Sequence, residues 1–498
     1  MTIYQFIQSL LDYGIRLNLL EEPDEVYARN RLLSLFGLEE WKPSEGRELP
    51  IHEILEGMLD FAQKQGILKT DTVTERDILD TEIMDCLMPR PSEVVRQFES
   101  DYSLSPEAAT NRYYQMSLSS NYIRQDRVAK NKQWKTETPY GEIDITINLS
   151  KPEKDPKEIA LLKNAPQSSY PKCALCRENE GYRGNIRNAA RATHRIIPVG
   201  LNHEDWFLQY SPYVYYNEHS IIFRAEHLPM KISGDTFTRL LEFTEKFPHY
   251  FVGSNADLPI VGGSILTHDH FQGGRYEFAI ERAETEESIT LPGYPSVTLG
   301  IVNWPMSVIR VRGGKDEVQA VTEHIWRSWQ TYSDPEAEVR AASGDVPHNT
   351  VTPIARRRGG LFEMDVVLRN NRTSEEHPGG IFHPHQELHH IKKENIGLIE
   401  VMGLAVLPGR LADELELVGG YLTAPRPLEE WDESVVKHWE WAGRILQKYG
   451  NITEGNVNKI IEDEVGAVFQ TVLEHAGVYK HDEAGKQAFI RFLHSLQK

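Results

Sequence analysis

The stretch "GGSILTHDHFQGG", residues 262 to 274, decides how this chain is read. It sets His268, His270 and Gln272 at alternate positions, and in extended chain alternate side chains share one face, about 6 to 7 Å apart. Three polar groups on one face need a chemical reason. One is nucleophilic attack at phosphorus, because a neutral imidazole attacks without prior deprotonation. If one ring nitrogen donates to a backbone carbonyl, the other is fixed as the nucleophile. The Gln272 amide would then meet the phosphoryl oxygens as charge develops on them. The flanking pairs Gly262-Gly263 and Gly273-Gly274 suit a close approach of backbone to phosphate. A metal-ligand pair and a half-buried structural pair are the other readings of His-x-His on a strand.

Upstream, "DITINLS", "WFLQY" and "SIIFRA" are short β-rich runs. "GDTFTRLLEFTEKF" predicts a capped helix with Phe237, Leu240, Leu241 and Thr244 inward, and "HYFVG" a further strand. Downstream the plan recurs with "MSVIRVRG", the helical "EVQAVTEHIWRSWQTY", the strands "TVTPIAR" and "LFEMDVVLR", and a second histidine cluster, "GGIFHPHQELHH", at 379 to 390. The likeness of "SNADLPIVGGSILTHDH" to "NNRTSEEHPGGIFHPH" predicts an internal duplication of about 150 residues. In the later copy Gln386 follows His385 directly and falls on the opposite face, so residues 268 to 272 are the favoured chemical copy. Residues 1 to 115 carry helical patterns, with Thr2 as a cap before Ile3, Phe6, Leu10 and Tyr13, and with Ile54, Met58 and Phe61 on one later face. The tail predicts a helix capped by Asp432, with Val435, Trp439, Ala442, Leu446 and Tyr449 on one side and Gly450 as its stop. The expected class is α+β, a duplicated mixed or antiparallel sheet core with a helical N-terminal segment and a helical tail. The expected division is 1–115, 116–295 and 296–498.

With 498 residues, 40% of them hydrophobic and 26% charged, the chain can bury a large core. It has no apolar run near the roughly 18 residues that a spanning helix needs. A net charge of -20 argues against binding nucleic acid or an anionic membrane, which draws on basic surface. The amino terminus reads as folded chain, without a basic leader. Three cysteines cannot make a disulfide framework, and a reducing cytoplasm is the expected compartment. Cys173 and Cys176 form C-x-x-C, which fits half a zinc site, a redox pair or a chance pair. His227 and His268 are available to complete a Cys2His2 set around a structural metal. "RRR" at 356 to 358 and "RNNR" at 369 to 372 read as a solvated face or as partners of an anionic substrate.

Four motifs in order, "CALCREN" at 173 to 179, "NEHSIIFRAEH" at 217 to 227, Asn255, and "HDHFQ" at 268 to 272, resemble the galactose-1-phosphate uridylyltransferase family. That family is a branch of the histidine-triad superfamily, and the likeness is to its longer form from Gram-positive bacteria. It spans roughly residues 115 to 415. The resemblance implies that His270 attacks the α-phosphorus of UDP-glucose, releases glucose 1-phosphate and leaves a uridylyl-histidine that galactose 1-phosphate opens to UDP-galactose. It implies Gln272 on the phosphoryl oxygens, Asn255 and Gly263 facing the nucleotide, and Gln209 of "QYSPY" near uracil and ribose. Arg369 and Arg372 are candidate partners for the sugar phosphate. Cys173, Cys176, His227 and His268 match the family's zinc ligands, no organic cofactor is implied, and a homodimer is expected. Asp269 stands where the shorter form has proline. That form also holds a second metal on a glutamate and three histidines, to which His389 and His390 align only loosely. The rival activities are a nucleotide hydrolase or phosphorylase of the same superfamily, and a His-x-His metallohydrolase.

Overall fold

The computed structural model describes residues 1–150 and 169–497. The helices Ile3–Arg16, Glu25–Leu35, Ile51–Lys64, Val73–Asp85, Pro91–Tyr102 and Pro106–Ser119 come first. Thr2 caps the first of them as its sequence predicts, accepting the Gln5 N–H while the Gln5 side chain accepts the Thr2 N–H. Then follow β1 (Lys132–Thr138), β2 (Gly141–Ile147), β3 (Ile197–Leu201), β4 (Glu204–Tyr210) and β5 (Ser220–Arg224). The helix Gly234–Lys246 buries Phe237, Leu240, Leu241 and Thr244, as its periodicity requires, and leads to β6 (Phe251–Gly253) and β7 (His270–Gly274). A second run holds β8 (Thr285–Leu291), β9 (Tyr294–Val302), β10 (Val308–Gly313) and the helix Lys315–Thr331. It continues through a small hairpin, β11 (Ala342–Ser343) and β12 (Val346–Pro347), to β13 (Asn349–Arg358) and β14 (Leu361–Asn370). Three strands, a helix and two long-range strands thus recur in order, and the class is α+β.

By packing, the chain forms two compact units. The first comprises Met1–Lys130, Ser150–Pro229 and Thr267–His270. Here β3, β4 and β5 make an antiparallel meander. The helical segment is bound to it by buried tyrosines: the Tyr113 hydroxyl donates to the Arg195 carbonyl at 2.6 Å, Tyr122 to Tyr210 at 3.0 Å, and Tyr210 to Thr110 at 3.1 Å. Each buried hydroxyl finds an acceptor and so avoids a desolvation cost of about 1–3 kcal/mol.

The second unit comprises Asn131–Leu149, Met230–Leu266 and Phe271–Lys498. Its strands pair antiparallel in the order β7, β6, β13, β14, β10, β9, β8. In a separate sheet β15 (Leu404–Leu407) lies parallel to β2. The "RRR" run is not a solvated face throughout, because Arg356 on β13 is 3% exposed. Its Nη2 donates to Asp365 of β14 at 2.6 Å and its Nε to Glu363 at 2.7 Å, while Arg310 of β10 grips the same Asp365 at 2.7 Å. Burial pushes the Asp365 carboxyl up, but the two guanidiniums outweigh it and hold it below its usual value.

The tail departs from its prediction. Asp432 caps no helix, since its carboxylate takes the Ser434 N–H in a local turn. A turn of 3-10 helix at Val436–His438 intervenes, and the helix runs Trp439–Lys448. The later start rotates the buried face to Trp441, Ala442 and Ile445, leaving Leu446 38% exposed.

Candidate active site and metal centre

The C-x-x-C turn is closed by Asn179, whose side-chain amide donates to the Cys173 carbonyl at 2.9 Å and the Cys176 carbonyl at 2.8 Å. That clamp turns both thiols to one side. Cys173 Sγ lies 3.5 Å from Cys176 Sγ and 3.2 Å from His268 Nδ1, and Cys176 Sγ lies 3.1 Å from His227 Nδ1. Zn–S bonds of about 2.3 Å and Zn–N bonds of about 2.0–2.1 Å give a tetrahedron with edges of roughly 3.3–3.8 Å. The S–S separation falls in that range and the two S–N separations just under it, so the four residues form one metal-capable group with nearly the spacing such an ion needs. His268 Nε2 faces the Arg224 carbonyl at 2.8 Å; a carbonyl only accepts, so Nε2 carries the proton and Nδ1 presents a lone pair to the thiols. Burial also lowers the proton affinity of this ring. Four protein donors would close the shell of a tetrahedral ion, as structural zinc sites do.

His268 precedes β7, and its backbone does a second job. Its carbonyl lies 2.8 Å from His270 Nδ1, which must be the protonated nitrogen. His270 is 4% exposed, and burial first, with the neighbouring His268 adding, lowers its pKa to about 4 against the opposing pull of the carbonyl. The ring is therefore neutral near pH 7, with its lone pair on Nε2. Such an imidazole is a ready nucleophile. Gln272 stands two residues on along β7, opposite Gly253 of β6.

Asn255 is buried, and its side-chain oxygen accepts the Leu398 N–H at 2.8 Å. A Cβ on Gly263 would lie 2.3 Å from the Asn255 amide carbon, so the glycine is required by the amide itself. Asn395 donates to the Gly262 carbonyl at 3.2 Å, and Arg369 donates to the Ile396 carbonyl at 3.0 Å. Asn255, Gly263 and Arg369 thus meet around residues 395 to 398, a segment that sequence reasoning did not single out. Arg372 does not join them, because its guanidinium donates to the Glu338 carbonyl. Gln209, on β4, is buried with its Oε1 3.0 Å from Nε2 of His194. His194 was also missed: it lies outside any strand pattern, and burial lowers its pKa to about 3.

In the first unit a cavity of about 240 Å³ is lined by Tyr122, Arg124, Arg127, Arg187, Arg191 and Tyr213, the last from "QYSPY". The second histidine cluster forms no strand. Its rings turn to local carbonyls instead, His385 Nε2 to Ile381 at 3.1 Å and His389 Nε2 to Pro384 at 2.9 Å. His390 Nδ1 lies 2.9 Å from Nδ1 of His438.

A profile described as the N-terminal domain of galactose-1-phosphate uridyl transferase matches residues 18–229, and one for its C-terminal domain matches residues 242–430. Galactose-1-phosphate uridylyltransferase of Halalkalibacterium halodurans is 54% identical over 99% of this chain and 98% of its own length. The Bacillus subtilis protein of the same name is 52% identical over 100% of this chain and 98% of its own. Among solved structures, yeast Ap4A phosphorylase is 10% identical with a TM-score of 0.31, covering 63% of this chain and 88% of its own. With both halves of the pattern matched and near-complete overlap at about half identity, this chain belongs to the galactose-1-phosphate uridylyltransferase family.

Proposed function

We propose that the chain transfers UMP from UDP-glucose to galactose 1-phosphate through a covalent uridylyl group on His270. The observation that carries this reading is the hydrogen bond from His270 Nδ1 to the His268 carbonyl, which leaves Nε2 as the only nucleophilic nitrogen. Nε2 attacks the α-phosphorus, the bond from phosphorus to the bridging oxygen breaks, and its electron pair leaves with glucose 1-phosphate. A phosphate oxygen of galactose 1-phosphate then attacks the same phosphorus, and the P–N pair returns to Nε2. Gln272 donates its amide N–H to the phosphoryl oxygens in both displacements. Neither step consumes a proton or needs a catalytic metal.

The arginine- and tyrosine-lined cavity of the first unit is the proposed seat of the nucleoside, with Gln209 behind it holding His194. Cys173, Cys176, His227 and His268 would hold zinc, which when bound supplies a rigid fourfold staple. His268 then passes that rigidity to the nucleophile through its carbonyl. A cytoplasmic homodimer, and a division at 115 and 295 that follows the repeated element order, complete the reading.

The test uses UDP-glucose labelled in uracil, with labelled glucose 1-phosphate in a parallel exchange assay. Wild type is expected to exchange glucose 1-phosphate into UDP-glucose and to retain acid-labile uridylate, while His270→Ala does neither and still folds. Equal labelling of both proteins rejects the nucleophile. Loss of UDP-glucose without exchange identifies a hydrolase instead.

A further inference from the structure

Arg369 on β14 is 1% exposed, and among the described residues it makes no ion pair with a carboxylate. Its Nη1 donates to the Thr352 hydroxyl at 3.3 Å and its Nη2 to the Ile396 carbonyl at 3.0 Å, both neutral acceptors. Its Nε is buried without a partner. The one carboxylate whose charge reaches it, Glu400, is engaged elsewhere: Lys392 holds it at 2.8 Å and the Gly397 N–H at 3.2 Å. Lys392 draws on both Glu400 at 2.8 Å and, more distantly, Glu394 at 3.9 Å, so neither carboxylate is left to pair with Arg369.

Guanidinium does not shed its proton in a protein, and a buried charge without a counter-ion costs several kcal/mol. A second orphan lies beside it. His383 is 7% exposed, its Nδ1 faces the Pro384 carbonyl at 3.3 Å, its Nε2 is buried without a well-formed hydrogen bond, and the Asn395 amide lies next to the ring. Burial first, with the nearby charge of Arg369 adding, lowers its proton affinity against the opposing pull of the Pro384 carbonyl and Asn395. Because the carbonyl takes Nδ1–H, the neutral ring keeps its lone pair at Nε2 and can accept a hydrogen bond there. The vacant groups are then a cationic donor and a neutral acceptor. A phosphate monoester of a polyol meets both, with an anionic oxygen for the guanidinium and a hydroxyl for the imidazole. Segment 395 to 398, which Arg369 holds by the Ile396 carbonyl, is the segment hydrogen-bonded to Asn255 and Gly262.

We infer that Arg369 and His383 together bind the phosphate and a neighbouring hydroxyl of the hexose 1-phosphate. The identity of that ligand rests on the uridylyl-transfer reading; the anion site rests on the unpaired buried guanidinium alone. Arg372, three residues on from Arg369 and spent on the Glu338 carbonyl, takes no part.

Calorimetric titration of the full-length protein with galactose 1-phosphate, and separately with UMP, tests this. Arg369→Gln is expected to weaken galactose 1-phosphate by at least about tenfold, the worth of a charge-assisted hydrogen bond, and to leave UMP within about twofold. Arg369→Lys, which keeps the charge, recovers part of the loss and guards against a mere folding defect. His383→Leu is expected to cost about fivefold for the sugar phosphate alone. The inference is overturned if Arg369→Gln binds galactose 1-phosphate as wild type does. It is equally overturned if UMP and galactose 1-phosphate weaken together and lysine restores neither, since that is a structural arginine. Should His270→Ala still label while the arginine dependence holds, the transfer reading falls and the anion site stands.

Discussion

A methyl group on Gly263 would sit 2.3 Å from the amide carbon of Asn255, a residue already fixed by the Leu398 N–H. Gly263→Ala must therefore displace the amide and break that bond, at a cost of about 1–3 kcal/mol. The expected result is a lower urea midpoint together with a loss of UDP-glucose turnover larger than the loss of stability; an unchanged midpoint and turnover would remove Asn255 from the site. His194 gives a pH signature. The unfolded chain protonates it near 6.5, whereas burial keeps the folded ring neutral down to about 3. Between those values only the unfolded state takes up the proton, so stability is lost as the pH falls below 6.5, by up to about 1.4 kcal/mol per unit. Urea melts at pH 7 and pH 5 should show a smaller acid loss in His194→Gln than in wild type, and parallel losses would exclude the ring as the source.

At the scale of elements, the cross-strand cluster on β10, β13 and β14 is the most exposed to a single change. Asp365 accepts from both Arg310 and Arg356, so Asp365→Asn strands two guanidiniums in the core. About 3–5 kcal/mol of destabilisation is expected in a urea melt. A change below 1 kcal/mol would mean that Glu363 alone can hold both arginines. This cluster also marks where sequence reading stops. The helix Gly234–Lys246 was legible because its period reports the buried face, and β14 because it is a continuous run of strand-forming residues, buried on both faces. Arg356 was not, because a charge in a strand looks solvated until its partners on β10 and β14 are known. The candidate site divides in the same way. His270, Gln272 and the cysteine pair announce themselves by spacing along the chain. His194, which meets Gln209, and residues 395 to 398, which meet Asn255 and Arg369, do not, being brought to those partners by tertiary packing without a local pattern. The tail helix was misplaced for a local reason: Asp432 has the side chain of a cap, but it spends its oxygen two residues on, at Ser434.

On the scale of the whole chain, the profile match ends at residue 430, yet the packing does not. The helix Val457–Ala476 buries Ile460, Val465, Phe469 and Val472. The Trp134 indole of β1 donates to its Glu462 carbonyl at 3.1 Å, and Gly466 has no room for a Cβ beside Thr136, which would stand 2.3 Å away. A chain ending at residue 430 should therefore lose the cooperative unfolding of the second unit in calorimetry; a sharp transition at the full-length midpoint would show the tail to be dispensable. His268, finally, serves two masters through different atoms, with its ring among the sulfurs and its carbonyl on the His270 imidazole. Where that ring holds an ion and His270 is the proposed nucleophile, starvation for the ion and disablement of the nucleophile become one lesion. A half-stripped preparation would then be a blend of full-speed and dead molecules, with unaltered Michaelis constants and a halved maximal velocity, so that counting live centres amounts to an assay of metal supply.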